Sequence, residues 1–147
     1  AKRKQVASVK VGDRPRGIAF RPDGKMAYVA SELVNTVYVI DVVRRKVIKQ
    51  LQTGTFCNGV TASPDGKRVF VSNGKDGTVS AIDTSSNEII ATIPVGKRPW
   101  NMAITPDGKK LYVANGRSNS VSVIDAIELK PLGEVNVGET PWGVVIR

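Results

Sequence analysis

Short apolar-rich runs, each bounded by turn-forming residues, succeed one another along the whole chain, and no useful stretch carries the 3.6-residue period of a helix. The first such group predicts strands at Arg16–Arg21, Met26–Ser31, Thr36–Asp41 and Lys46–Leu51. Pro22-Asp23-Gly24-Lys25 separates the first two. Its proline pre-sets the φ that a tight turn needs, and its glycine accepts a positive φ. The second turn, Glu32-Leu33-Val34-Asn35, is less turn-like than its counterparts Gly74-Lys75-Asp76-Gly77 and Gly116-Arg117-Ser118-Asn119. Met26–Ala30 and Leu111–Ala114 are apolar almost throughout, as expected of strands covered on both faces.

The pattern repeats. Pro-Asp-Gly stands at 22–24, 64–66 and 106–108, and Ile-Asp at 40–41, 82–83 and 124–125. A third series is Val11-Gly12, Thr53-Gly54, Val95-Gly96 and Val137-Gly138. All three series share a period of 42 residues without insertion or deletion. Four strands in such a period make one blade of a β-propeller. The expected fold is all-β, with four-stranded antiparallel blades at 12–53, 54–95 and 96–137. Residues 5–11 align with the last strand of a blade and 138–147 with a first strand, which predicts fourteen strands and about 3.5 blades. Propellers close with about 4–8 blades. The expectation is half of a seven-bladed ring, closed by the remaining half of a longer chain or by a second chain.

Composition narrows the chemistry. The 147 residues include one Cys and no His, which removes His-dependent nucleophile activation, His-ligated metals and an intrachain disulfide. No metal site and no cofactor is implied by the residues. The net charge of +9 comes from 22 Lys+Arg against 13 Asp+Glu. These cations split between both faces of the repeat and form no single patch with stacking aromatics, so no nucleic-acid partner is expected. No apolar run reaches the ~18 residues of a membrane span, and no signal peptide is seen at the start of the sequence.

Gly17-Ile18-Ala19-Phe20-Arg21-Pro22-Asp23-Gly24-Lys25, Tyr112-Val113-Ala114-Asn115, Ser120-Val121-Ser122-Val123-Ile124-Asp125 and Ile93-Pro94-Val95-Gly96 resemble the YVTN family of β-propeller repeats. Within it, Arg98-Pro99-Trp100, Asn115–Asn119 and Pro141-Trp142-Gly143-Val144-Val145 are most similar to bacterial periplasmic propellers associated with PQQ-dependent alcohol oxidation. The resemblance implies a periplasmic or cell-envelope location. It also implies that ligands meet the channel mouth, the face formed by loops entering the first strand and joining the second to the third.

Column by column, that mouth carries Arg14, Arg16, Asn58, Arg98, Trp100, Asn101 and Trp142. Trp and Arg are frequent binding hot spots, suited to a protein partner or a small anionic or planar ligand. Asp13, Glu32, Asp76 and Glu139 also fall on this face, but no spacing selects a general acid–base pair. Cys57 occupies a proline column and reads as a small apolar residue. The expectation is a non-enzymatic binding scaffold accessory to quinoprotein alcohol oxidation. The alternatives are a propeller enzyme, lactonase-like or a haem-associated oxidoreductase accessory, with catalytic residues elsewhere, and a cell-surface adhesion repeat.

Overall fold

The computed structural model describes residues 4–146. Ala1–Arg3, part of the basic start, and Arg147, the last residue of the expected end strand, lie outside the described residues. Three four-stranded antiparallel sheets follow one another. The first blade holds β1 (Pro15–Phe20), β2 (Met26–Ser31), β3 (Thr36–Asp41) and β4 (Lys46–Gln52). The second holds β5 (Cys57–Ala62), β6 (Arg68–Asn73), β7 (Thr78–Asp83) and β8 (Glu88–Pro94). The third holds β9 (Pro99–Ile104), β10 (Lys110–Asn115), β11 (Ser120–Asp125) and β12 (Lys130–Asn136). Each sheet is a simple meander, and β1, β5 and β9 stand side by side as the innermost strands. One 3₁₀ turn, Glu32–Val34, links β2 to β3.

Period-two alternation explains the packing, because both faces of a blade are apolar. Tyr28, Ala30, Val37 and Val39 of the first blade meet Val69, Val71 and Ile82 of the second. Phe70, Val79, Ala81 and Ile93 point the other way, onto Met102, Leu111, Val113 and Ile124 of the third. Blade contacts are also polar at their edges. The Tyr28 hydroxyl donates to Asn87 Oδ1 at 2.6 Å, and Thr61 Oγ1 to the Met102 carbonyl at 3.0 Å. Arg68 donates to the Ala126 and Ile127 carbonyls.

The turn acids are scaffold. Asp23, Asp65 and Asp107 each accept the backbone N–H two residues on, at 3.0 Å. Asp41, Asp83 and Asp125 cap the turns after the third strands by accepting the backbone N–H three residues on.

The end segments 5–11 and 138–147 are expected to pair with blades outside these 147 residues, and this structure does not test that pairing. Among the described residues, neither segment is laddered into a sheet. A strand needs a partner edge for its N–H and C=O groups, and neither segment meets one among the described residues. Val9 and Val11 instead lay their side chains on Ala27, Val29 and Ile40 of the first blade. At the other end the Trp142 carbonyl accepts the Asn101 N–H at 3.4 Å, the start of a contact beside β9.

Candidate functional site

Two local devices aim side chains into the mouth. The first is a register break at the start of each innermost strand, between Pro15 and Gly17, between Cys57 and Val60, and between Pro99 and Met102. Such bulges re-aim side chains. Here they place Arg16, Asn58, Trp100 and Asn101. The second is backbone in the left-handed region just before each bulge. Arg14, Phe56 and Arg98 have φ of 56°, 57° and 59°, and Thr140 repeats the conformation at 51° in the end segment, where no bulge follows among the described residues. Each costs of order 1–3 kcal/mol for a non-glycine residue, and all four stand at the same position of the 42-residue repeat.

Innermost strands approach too closely for side chains at two positions. A Cβ on Gly17 would sit 2.2 Å from the Asn58 carbonyl oxygen, and one on Gly59 2.3 Å from that of Trp100.

Glu32 is the centre of the resulting arrangement. It is 2% exposed, at the start of the 3₁₀ turn. Arg14 Nε lies 3.1 Å and Arg16 Nε 3.6 Å from its Oε2, while the Arg98 guanidinium lies 3.6 Å from Oε1. Oε2 is buried and takes no well-aligned hydrogen bond. One carboxylate therefore gathers three guanidinium groups from two blades. Their positive charge exceeds its negative charge by two, and they face the mouth with increasing burial from Arg14 to Arg98.

The remaining predicted residues fall into a second group. Trp100 and Trp142 stack with ring centroids 4.1 Å apart and planes 18° from parallel. The Trp100 ring lies over Gly116, where any Cβ would meet it at 2.4 Å. Trp142 stays 63% exposed. Asn101 is exposed beside this pair, while Asn58 is buried with its backbone against Gly17. Among the described residues, no hydrogen bond or ion pair joins the tryptophan pair to Glu32.

Sequence reasoning placed Glu32 on the mouth and left it out of the site. The signal was present: glycine fills the equivalent positions 74 and 116, and only the first blade has an acid there. Cys57 is buried, its thiol directed at the Ser31 and Thr36 carbonyls, and burial pushes its pKa up. Among the described residues no group of acidic, Cys or His side chains is arranged to hold a metal ion, and no helix is long and apolar enough to cross a membrane.

Residues 1–140 match the family described as lactonase, 7-bladed beta-propeller. The chain belongs to this lactonase family. No curated protein matches. Among solved structures, hydrazine synthase of Kuenenia stuttgartiensis is similar at 26% identity and a TM-score of 0.85, covering 97% of this chain and 42% of that one. A protein assigned as a 6-phosphogluconolactonase from Bacteroides fragilis aligns at 26% identity and 0.78, covering 88% and 40%. A protein of unknown function from Desulfotomaculum acetoxidans aligns at 21% and 0.80, covering 90% and 45%, and shows the fold alone. The chain thus spans less than half the length of these structures and presents three blades of a seven-bladed fold. The lactonase match overturns the expectation of a non-enzymatic scaffold serving quinoprotein alcohol oxidation. It favours the lactonase-like alternative instead.

Proposed function

We propose that the mouth of this propeller hydrolyses a lactone, with Glu32 and its three arginines as the reacting centre. The observation that carries the reading is the buried Glu32 carboxylate with one oxygen unclaimed by any aligned donor, ringed by Arg14, Arg16 and Arg98. Lactone hydrolysis needs two services. A positive donor must stabilise the oxyanion that forms when water adds to the ring carbonyl, and a base must take that water's proton. Arg14 and Arg16, the more exposed guanidiniums, supply the first. Glu32 Oε2 supplies the second. The tetrahedral intermediate then expels the ring oxygen, which receives the proton from Glu32, and an open hydroxy acid leaves. The exposed face of Trp142 lies on the same mouth and offers an apolar surface for a sugar ring.

The likeness to the Bacteroides fragilis protein supports an aldonolactone as substrate class. The test is pH-stat hydrolysis of glucono-δ-lactone and its 6-phosphate by the intact protein. Glu32→Gln keeps the shape and removes the base, and is expected to lower kcat by about 10²–10⁴. Removal of an oxyanion donor, Arg16→Ala, is expected to cost about 10²–10³. Full activity in Glu32→Gln would end this assignment.

A further inference from the structure

A second feature lies on the same face but off the axis, in the groove between the second and third blades. One wall is the turn Gly74–Gly77, the other the loop Val95–Arg98, and Arg117 closes the end. The cavity measures about 660 Å³. Lys75, Lys97, Arg98 and Arg117 converge on it against a single acid, Asp76. Asp76 turns one oxygen away, accepting the Thr55 N–H at 2.6 Å. Arg98 and Lys75 approach the same Phe56 ring, at 5.4 and 6.0 Å from its centroid. Among the described residues, Lys75, Lys97 and Arg117 take part in no ion pair.

This convergence is not a product of the repeat. Shifted by one period, the same four positions are Leu33, Thr55, Phe56 and Lys75, with one cation among them. Turn chemistry therefore does not require these charges. Like charges brought together repel; Asp76 offsets one of them and Glu32 faces Arg98, which leaves Lys75, Lys97 and Arg117 with no ion pair among the described residues. The walls are also fixed: Lys97 N–H donates to Ser118 Oγ at 2.6 Å, and Gly74 N–H to the Phe56 carbonyl at 2.9 Å.

We propose that this groove binds the phosphoryl group of a small phosphate monoester or of free phosphate. With Arg98 shared with Glu32, Lys75, Lys97 and Arg117 against Asp76 leave an excess of two positive charges, which matches a dianion better than a single carboxylate. The Arg117 guanidinium can fork onto two phosphate oxygens, and the lysines act as point charges beside it. The Phe56 ring gives the organic part of an ester an apolar surface. Binding here does not depend on hydrolysis at Glu32.

The experiment is calorimetric or NMR titration of the intact protein with inorganic phosphate, glucose 6-phosphate and glucose, at ionic strength matched with chloride. Phosphate and the ester are expected to bind and glucose not. Lys97→Gln with Arg117→Gln, both exposed, is expected to weaken binding by at least about tenfold through lost charge-assisted hydrogen bonds. Lys75→Gln alone is expected to weaken it by a smaller factor. Tighter binding of the ester assigns the site to a phosphorylated metabolite, and equal binding assigns it to free phosphate. Phosphate that binds no better than chloride, or variants that bind as well as the parent, would overturn the proposal. The readout is binding alone, so its failure is distinct from a failure of Glu32→Gln to abolish hydrolysis.

Discussion

Single atoms decide the most at the innermost strands. The Trp100 carbonyl oxygen would sit 2.3 Å from a Cβ at residue 59. The obstacle is backbone, which cannot swing aside. Gly59→Ala must therefore push β5 from β9, and overpacking of this kind costs about 1–3 kcal/mol. The urea midpoint is expected to fall accordingly, and an unchanged midpoint would show that the strands have slack. Cys57 gives a second check. Its thiol is buried, its sulfur lies 3.4 Å from the Ser31 carbonyl, and burial raises its pKa. It is expected to resist thiol reagents in the folded protein and to react fully in denaturant, by mass-spectrometric labelling. Rapid native labelling would mean that β5 opens locally. At this scale the sequence was a partial guide. It placed Arg14, Arg16 and Arg98 on one face, because turn columns show which loops share a side. It could not show that Glu32 reaches between blades to all three, since that depends on how far the 3₁₀ turn tilts inward.

Among the elements, the turns carry the charge chemistry. Asp83 accepts from the Ser85 hydroxyl and from the Ser86 and Ser85 N–H groups, which hold its carboxyl well down, to about 2. Asp23 is likewise held near 2 by Arg21 and the Lys25 N–H. Asp65, Asp107 and Asp125 are lowered by similar donors. A carboxylate with a lowered folded pKa contributes stability above its unfolded value of 3.8, and loses it as pH falls through the folded value. The melting temperature is thus expected to lose this contribution as pH drops from about 4 towards 2. Asp83→Asn, which cannot titrate, is expected to soften the acid slope, as thermal melts at stepped pH would show. A slope identical to the parent's would remove Asp83 from the account. Strand existence was legible at this scale because each run is bracketed by the same turn residues three times over. The end segments are a different case: pattern reports which residues could form a strand, whereas pairing needs an edge, and among the described residues 5–11 and 138–146 meet none.

Across the molecule, burial is uneven, and the unevenness follows from blade order. The second blade is covered on both faces: Val69 and Val71 pack towards the first blade, Phe70 towards the third, and all three are fully buried. β12, the outer strand of the third blade, is exposed along its length. Opening free energies track local burial, so amides of β6 and β7 should exchange slowest and those of β12 fastest. Phe70→Ala removes the largest side chain of the second interface and is expected to cost about 3–5 kcal/mol. If each blade's stability came from its own hydrogen-bonded ladder, that loss would stay within β5–β8. If it comes from stacking, as the shared clusters imply, exchange in β9–β11 must accelerate as well, because Leu111, Val113 and Ile124 lose the same partner. Hydrogen exchange of the Phe70→Ala variant separates the two, since acceleration confined to the second blade would place the stability in the individual sheets.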